Sequence, residues 1–187
     1  HGRFDCGELP ARPTGQKYSY CGVIMRAIVA VTSNWAIGCK GRLLISNKAD
    51  MHHFVQHTRG GTVIMGRTTL ESFPGSNPLP KRRNIVLTRD ASWSCEGVEV
   101  VHSVSQALEA VATENPNDVW CIGGMSVYEQ MLPYCSEVIV TMHDVVVPAD
   151  AFFPNLDEDP SWTVCTSAQG GVTPEGISFH FVTYQRA

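Results

Sequence analysis

The alternation of short apolar runs with segments of helical periodicity constrains the fold of this chain more than any other feature. Residues 23–32 form a run rich in Ile, Val and Ala, which is typical of a strand buried on both faces. Further apolar runs follow at 62–65, 84–88, 98–101, 119–122 and 137–142. Strands that alternate with helices favour an α/β fold with a mostly parallel, twisted sheet and helices on both faces. Such sheets bind ligands at the carboxyl ends of their strands.

Helical segments are predicted between these strands. Residues 48–59 place apolar side chains at helical spacing and end at Gly60-Gly61, and Ser103 is a plausible N-cap for a helix over 104–112. A third helix over 126–132 stops at Pro133, and 68–72 forms a single helical turn. Residues 33–47 and 74–80 are predicted loops. Residues 162–167 and 178–184 form a closing antiparallel hairpin, which gives about eight strands in one domain.

Composition points to a protein that binds a small ligand. A formal charge of −4 and a pI near 5.9 argue against a nucleic-acid surface, and no apolar run approaches the ~20 residues that span a bilayer. The seven cysteines are an odd number and form no C-x-x-C pair. We therefore expect no metal site and no disulfide framework, and we interpret the cysteines as reduced thiols of a cytoplasmic protein.

Residues 1–24 differ from the rest of the chain. They mix Gly, Pro and charged residues without periodicity, and Met25 stands directly before the first strand pattern. We expect a tail before a domain that covers residues 25–187, with Met25 as the natural start and an artificial or upstream extension ahead of it. The alternative is a native extension that packs on the domain.

Two glycines after the strand at 119–122 give the sharpest local signal. Gly123 and Gly124 lead directly into a helix, so the backbone could approach a phosphate closely and meet it with unpaired amide groups. The pattern is neither G-x-G-x-x-G nor a P-loop. A simple tight turn between strand and helix therefore stays an equal alternative.

Arginines follow two other strands at comparable places. Arg67 comes after Gly66 and before two threonines, and Arg89 comes after Thr88. A guanidinium pairs with phosphate as a planar fork, so two of them would suit the extra phosphate of NADPH. Taken singly, each arginine at such a place is more often a solvated surface residue.

Asp50 lies in the first turn of the predicted helix at 48–59, on the same face as Phe54. An acid that complements the helix dipole explains it without any function. The functional alternative is a carboxylate in an apolar cleft that faces adjacent donors of a ligand. His52, His53 and His57 complete no metal pattern, and we interpret them as a polar helix face.

In chain order, these segments resemble the dihydrofolate reductase family, and the resemblance covers nearly everything from Met25 onward. The motifs are Ala-Ile-Val-Ala-Val at 27–31, Ile37-Gly38, Asp50 with Phe54, Val-Ile-Met-Gly-Arg-Thr-Thr at 63–69, Pro78-Leu79-Pro80 before Arg82, Asn-Ile-Val-Leu at 84–87, Ile-Gly-Gly at 122–124 with Val-Tyr-Glu-Gln at 127–130, Thr141, and Phe152-Phe153-Pro154.

The resemblance implies an enzyme of one-carbon metabolism that reduces dihydrofolate to tetrahydrofolate with NADPH, acts as a monomer and binds antifolates. Asp50 would hold the pterin, with Thr141 supporting its carboxylate, and Arg82 would take the glutamate carboxylate. The implied substrate site comprises Ile28, Ala30, Asp50, Phe54, Leu79, Arg82, Ile122, Tyr128 and Thr141. The implied NADPH site comprises Ala30, Ile37, Gly38, Gly66, Arg67, Thr68, Thr69, Leu87, Thr88, Arg89, Ile122, Gly123, Gly124, Met125, Ser126, Val127 and Tyr128.

The resemblance also implies a cis peptide between Gly123 and Gly124 and a loop at 33–47 that closes over the site. The proton would arrive through water.

The sequence departs from the family in two places. Leu44-Ile45 replaces a Pro-Trp pair, which removes a donor to an ordered water, and Met125-Ser126 lacks a basic residue found in some relatives. Arg67 and Arg89 would then carry more of the phosphate recognition.

Two rivals to this assignment are considered. One is a reductase of the riboflavin pathway, which resembles the same fold but acts on a pyrimidine ribityl-phosphate. Asp50 near Phe54, with Arg82 after Pro-Leu-Pro, favours folate over that substrate. The other is a nucleotide-binding module without catalysis, against which the intact Asp50 and the complete cofactor set argue.

Overall fold

The computed structural model describes Gly22 and residues 24–187. The described residues form four α-helices, which are α1 (Lys48–Thr58), α2 (Arg67–Glu71), α3 (Val104–Ala110) and α4 (Met125–Met131). They also form the strands β1 (Met25–Thr32), β2 (Ala36–Gly38), β3 (Thr62–Gly66), β4 (Arg83–Leu87), β5 (Val98–Val101), β6 (Val119–Gly123), β7 (Cys135–His143), β8 (Ala151–Phe152), β9 (Trp162–Val172) and β10 (Ser178–Arg186). Short 3-10 turns lie at Pro74–Ser76, Pro116–Asp118 and Leu132–Tyr134.

Eight strands form one sheet in the order β5-β4-β3-β6-β1-β7-β10-β9. The first six are parallel to one another, whereas β10 runs antiparallel to both β7 and β9. This confirms the predicted α/β fold, with its mostly parallel sheet and its antiparallel hairpin at the C-terminal end. Because the parallel strands share one direction, their carboxyl ends meet at one edge of the sheet.

Two separate apolar clusters cover the two faces of the sheet. On one face, α3 and α4 bury Leu108 and Met131 against side chains such as Ile64 and Val29. On the other face, Phe54 of α1 and Leu70 of α2 pack against alternate residues of the same strands, which include Val63, Ile28 and Ile122. The alternation along β1 and β3 follows from the two-residue period of a strand. Helices therefore lie on both faces, as predicted.

The central strands β1 and β6 separate soon after they pair. Their ladder holds only the pairs Arg26–Trp120 and Ala27–Cys121, whereas the ladder between β1 and β7 continues to Thr32 and His143. One residue past the last β6 pair, the Ile28 carbonyl accepts a 2.7 Å hydrogen bond from the Tyr128 hydroxyl. The sheet therefore opens between β1 and β6 on its carboxyl side.

The predicted loop at 33–47 contains a strand that the sequence pattern did not indicate. Ala36–Gly38 pairs with Ala151–Phe152 in a small antiparallel sheet, and the amide of Phe153 donates to the Trp35 carbonyl at 2.8 Å. Three residues carry no periodicity of their own, so this strand depends on a partner far along the chain.

Several predicted element ends are also wrong. Helix α2 begins at Arg67 and α4 at Met125, each directly after a glycine N-cap without a side chain. Strand β9 continues to Val172, and no apolar pattern marks this extension because most of its residues are exposed. Strand β7 begins at Cys135 and ends at His143.

The interpretation of the α1 histidines as one polar face is wrong for two of them. His53 stacks on Phe181 with ring centroids 4.1 Å apart, and His57 packs edge-on against Trp120 at 5.5 Å. Both are partly buried, because α1 lies flat on the sheet and turns this side towards β10 and β6. Burial lowers the pKa of both imidazoles.

The predicted tail at 1–24 lies outside the described residues except for Gly22 and Ile24. The amide of Ile24 donates to the Tyr134 carbonyl at 2.9 Å. Within residues 24–187, none of the helices combines the length and apolar character needed to cross a membrane.

Candidate active site

A cleft of about 790 Å³ opens where β1, β3, β4 and β6 reach their carboxyl ends. Its walls include every residue that the resemblance assigned to the cofactor, from Ala30 and Ile37 to Tyr128. The strand-end turns of β3, β4 and β6 meet here because these strands are parallel neighbours. The segments that the resemblance assigned to the cofactor therefore line a single cavity, whereas Asp50, Phe54, Leu79, Arg82 and Thr141 are not among its lining residues.

Glycines bring two of these turns close together. A Cβ on Gly66 would lie 3.3 Å from Cγ2 of Val127, and one on Gly123 would lie 3.2 Å from Oγ1 of Thr69. Gly123 also has a φ of 132°, which L side chains rarely adopt. The peptide between Gly123 and Gly124 is cis, which confirms that prediction. The glycines at these positions therefore let the turns after β3 and β6 pack against each other in the wall of the cleft.

The two arginines at the cleft differ in their surroundings. Nε of Arg67 donates to Glu71 at 2.7 Å, and Nη1 donates to Asp90 at 3.2 Å. These contacts raise the pKa of Arg67, chiefly through its hydrogen bond with Glu71. Arg89 lines the same cleft, and its guanidinium makes no ion pair with any residue in 24–187. Arg89 is therefore the more available of the two cations.

A histidine that the sequence analysis missed lies beside Arg89. His102 lines the cleft, and its Nδ1 lies 2.8 Å from the carbonyl oxygen of Thr88. Since a carbonyl can only accept, Nδ1 carries the proton and Nε2 is left for other partners. The single signal in the sequence is that His102 directly follows strand β5, at the same sheet edge as Arg89.

Asp50 occupies the first turn of α1, and two side chains determine its position. The Asn47 side chain caps the helix by accepting from the amides of Ala49 and Asp50 at 3.1 and 3.3 Å. The Thr141 hydroxyl donates to Asp50 Oδ1 at 2.6 Å. Strand β7 carries Thr141 and aligns it with Ala30, which lines the cleft. The carboxylate is thereby held beside the cleft.

Burial raises the pKa of Asp50 above its ordinary value. The hydrogen bond from Thr141 opposes this shift. Among the described residues, Thr141 is the side chain that hydrogen-bonds the Asp50 carboxyl group, so its other acceptor sites are unpaired. A ligand that presents adjacent N–H donors would pair with these sites.

Four other residues that the resemblance assigned to the substrate lie together on the face covered by α1. Ile28, Ile122, Phe54 and Leu79 belong to the same apolar cluster. Two 2.9 Å hydrogen bonds join Asn84 to the Leu79 backbone: the Leu79 amide donates to Asn84 Oδ1, and Asn84 Nδ2 donates to the Leu79 carbonyl. This clamp explains how an irregular segment can present a side chain at a defined place.

Arg82 extends this region towards solvent. Its guanidinium carbon lies 5.7 Å from the centre of the Phe54 ring, in the geometry of a cation–π contact. Burial, and then repulsion from Arg59, lower the pKa of Arg82. Arg82 pairs with no carboxylate of the described residues. It can therefore receive an anion from outside the chain.

Tyr128 lines the cleft but does not offer its hydroxyl to it. The hydroxyl is committed to the Ile28 carbonyl, and the ring is buried against Phe153 at 4.8 Å. Burial raises the pKa of this phenol well above its ordinary value. Tyr128 can thus contact a ligand through its ring and shape the opening between β1 and β6.

Asn47 and His143 were not predicted as site residues. Asn47 caps the first turn of α1, and His143 contacts the Asn47 side chain. Asparagine is a preferred N-cap, so Asn47 could have been recognised before the helix at 48–59. His143 gave no signal, since a histidine in an apolar strand has no periodic or motif context. Arg42 and Leu43 of the 33–47 loop also line the cleft.

Comparisons with known proteins agree on one family. The family model described as dihydrofolate reductase matches residues 24–186. The dihydrofolate reductase of Neisseria gonorrhoeae is 35% identical over 157 residues, which cover 84% of this chain and 94% of that protein. The dihydrofolate reductase of Mycobacterium tuberculosis is 36% identical over 164 residues, which cover 86% of this chain and 96% of that protein.

A solved structure shares the fold. The dihydrofolate reductase from Enterococcus faecalis, complexed with NADP(H) and RAB-propyl, superposes with a TM-score of 0.79 at 32% identity. The match covers 87% of this chain and 96% of that chain.

Proposed function

Since the chain belongs to the dihydrofolate reductase family, we propose that it reduces dihydrofolate to tetrahydrofolate with NADPH and that Asp50 holds the pterin ring. The observation that carries the role of Asp50 is its partly buried carboxylate, bonded to Thr141 beside a cleft of nucleotide size. A carboxylate in that position accepts two parallel hydrogen bonds from a ring nitrogen and its neighbouring amino group.

The cleft residues fit the proposed cofactor. Gly66, Gly123 and Gly124 line the cleft, where their backbone can face a pyrophosphate, and Arg89 is available for a further phosphate. The hydroxyls of Thr68, Thr69 and Thr88 line the same wall and can donate to phosphate oxygens. When bound, NADPH supplies the hydride.

Asp50 contributes by orientation and by charge. The reaction forms a C–H bond at the imine carbon of the pterin, and the adjacent nitrogen gains a proton from water. Positive charge grows on the ring as this nitrogen is protonated, and the Asp50 anion stabilises that charge in a site of low polarity. Hydrogen bonds to Asp50 also fix the ring, so that its reactive carbon faces the cofactor cleft.

The substrate tail has a separate anchor in this proposal. Phe54, Leu79 and Ile28 supply an apolar wall for the benzoyl group, and Arg82 pairs with the glutamate carboxylate. A bidentate guanidinium–carboxylate pair gives direction as well as affinity. Recognition is thus divided between an anion for the ring and a cation for the tail.

The experiment that tests this proposal follows NADPH oxidation spectrophotometrically, with and without dihydrofolate. Wild-type protein is expected to oxidise NADPH only when dihydrofolate is present. Asp50→Ala is expected to lose at least about 100-fold in kcat/KM, or roughly 3 kcal/mol of transition-state stabilisation. Asp118→Ala, which removes an exposed carboxylate in a 3-10 turn, should behave as wild type.

The result also separates the two rivals. A reductase of the riboflavin type would use a pyrimidine ribityl-phosphate instead of dihydrofolate, and a binding module would oxidise no NADPH with either substrate. Near-normal turnover of Asp50→Ala would refute the role of Asp50 even if the wild type is active.

We further propose that the protein acts as a monomer in the cytoplasm. The cysteines at 39, 95, 121, 135 and 165 are all free thiols, which suits a reducing compartment. Burial raises the pKa of Cys121 to about 12, so this thiol stays protonated and unreactive. Sedimentation equilibrium would test the monomer, and a dimer mass at micromolar concentration would contradict it.

A further inference from the structure

His143 is a buried polar side chain to which the proposed reaction assigns no role. It lies at the end of β7 with 1% of its surface exposed, and Phe179 packs at its side. Its Nδ1 lies 3.2 Å from the carbonyl oxygen of Val31, and its Nε2 lies 3.1 Å from Nδ2 of Asn47. Both ring nitrogens thus have a partner inside the protein.

These two partners determine the protonation state of the ring. The Val31 carbonyl can only accept, so Nδ1 must carry a proton. The Asn47 amide nitrogen can only donate, so Nε2 must be the unprotonated acceptor. The contacts are therefore satisfied together only by neutral His143 with its proton on Nδ1.

The orientation of the Asn47 amide follows from this tautomer. With Nδ2 turned to His143, Oδ1 faces the helix and accepts from the amides of Ala49 and Asp50. A proton on Nε2 would favour the flipped amide, which would place Nδ2 against those two backbone donors. The N-cap of α1 would then be lost, since two donors cannot pair.

Strand β7 holds the first turn of α1 at two points. Thr141 and His143 are two residues apart, so both side chains project from the same face of the strand. Thr141 bonds the Asp50 carboxylate itself, and His143 bonds the residue that caps the backbone of Asp50. One contact sets the side chain and the other sets the turn that carries it.

We propose that His143 is a positioning residue for Asp50: through the Asn47 amide, it sets the first helical turn so that the carboxylate meets the pterin ring. This inference rests on the proposed function of Asp50. A loose cap would let the turn move against Thr141, and a displacement of 1 Å is enough to reduce catalysis strongly. Neither Asn47 nor His143 lines the cleft, so we expect NADPH binding to depend little on this contact.

The first experiment uses the wild-type protein and long-range ¹H–¹⁵N NMR of the histidine rings at pH 7. We expect His143 to show a protonated Nδ1 and an unprotonated Nε2. A proton on Nε2, alone or together with Nδ1, would overturn the proposal. This measurement does not depend on activity or on the folding of any variant.

The second experiment is a double-mutant cycle of His143→Leu and Asn47→Ser. Serine caps a helix without an amide that needs orientation, so it removes the dependence on His143. His143→Leu is expected to raise the KM for dihydrofolate about tenfold and to leave the KM for NADPH within twofold. In the Asn47→Ser background, His143→Leu should raise the KM for dihydrofolate less than threefold, because the two residues act as one unit.

Two further variants distinguish positioning from general stability. His143→Gln keeps one donor and one acceptor, so it should recover most of the affinity for dihydrofolate that His143→Leu loses. His180→Leu, on the neighbouring strand β10, should leave both KM values unchanged. Multiplicative effects in the cycle, an equal rise of both KM values, or a normal KM for dihydrofolate in His143→Leu would each contradict the proposal.

The proposed function of Asp50 and the positioning role of His143 can be refuted separately. An active Asp50→Ala would remove the proposed function, whatever the state of His143. An inactive Asp50→Ala with a normal His143→Leu would leave the function intact and remove only the positioning role.

Discussion

The hydroxyl of Thr141 donates a 2.6 Å hydrogen bond to Oδ1 of Asp50, and it joins β7 to the first turn of α1. The two residues are 91 positions apart in the sequence. This bond favours the ionised carboxyl and lowers the pKa of Asp50, against the larger effect of burial. A residue of β7 therefore influences the pKa of the proposed catalytic carboxyl group on α1.

Thr141→Val is expected to reduce kcat/KM for dihydrofolate by about tenfold or more, because hydrogen bonds to charged groups contribute roughly 1.5–3 kcal/mol. Loss of the bond raises the pKa of Asp50 further, so the acid limb of the pH–rate profile should move to higher pH. Thr141→Ser keeps the hydroxyl and should keep the profile. An unchanged acid limb in the valine variant would contradict this prediction.

Asp50→Asn should stabilise the ligand-free protein at pH 7 while it abolishes activity. Burial raises the pKa of Asp50 above 3.8, so the folded protein binds this proton more tightly than the unfolded chain does. Stability contributed by the protonated form is complete below pH 3.8 and is lost as the pH rises through the folded pKa. The difference in unfolding free energy between Asp50→Asn and the wild type should therefore shrink as the pH falls towards 4, which urea unfolding would measure. A difference that stays constant with pH would rule this out.

Gly123→Ala is expected to raise the KM for NADPH at least tenfold and to cost about 1–3 kcal/mol of unfolding free energy. A Cβ there would lie 3.2 Å from Thr69 Oγ1, on a backbone with a φ of 132°. Gly176→Ala is the matched control, because its φ is 89° and nothing lies within 4 Å. The control should lose stability and keep its KM for NADPH. Equal KM values in the two variants would argue against the glycine turn as a cofactor contact.

Arg89→Gln should weaken NADPH far more than NADH. Arg89 lines the cleft without a carboxylate partner among the described residues, whereas Arg67 is already paired with Glu71 and Asp90. We expect the KM for NADPH to rise about tenfold in Arg89→Gln, with a smaller rise in Arg67→Gln. Steady-state assays with both cofactors check this, and an equal rise for NADPH and NADH would show that Arg89 does not recognise the extra phosphate.

Arg82→Gln is expected to raise the KM for dihydrofolate about tenfold through loss of a charge-assisted pair. A reduced pterin substrate that lacks the glutamate tail should be turned over equally well by the variant and the wild type. Lys81→Gln removes the adjacent, exposed charge and should change neither. A loss of activity on the tail-less substrate would place Arg82 at the ring instead.

The sequence indicated well which segments line the cleft, because the wall of the cleft is built from strand ends. Strands β3, β4 and β6 are strongly apolar, and their turns carry Gly66, Thr88 and Gly123 directly after the pattern stops. Parallel topology then brings these turns together without further information. The same reasoning placed the sheet and its closing hairpin.

The support of Asp50 did not follow from the strand pattern: the contact with Thr141 was implied only by the family resemblance, and the role of Asn47 and His143 was not implied at all. Neither the bond from Thr141 nor the contact of His143 with Asn47 follows from local pattern, since each joins residues more than 90 positions apart. Polar groups are buried there because each finds a partner in the folded state. Strand β2 and the stacking of His53 on Phe181 depend likewise on distant partners, and the sequence analysis missed them.

The early separation of β1 from β6 has a mechanical consequence. Past Ala27 and Cys121 the two halves of the sheet are joined by Tyr128 and not by rungs of backbone hydrogen bonds. A ligand bound in the opening between β1 and β6 contacts both halves of the sheet. Its binding should therefore slow amide hydrogen exchange in both strands. A tight inhibitor at a thousandfold excess over its Kd would then raise the free energy of unfolding by about 4 kcal/mol. The ligand-free protein between turnovers would be the least stable form.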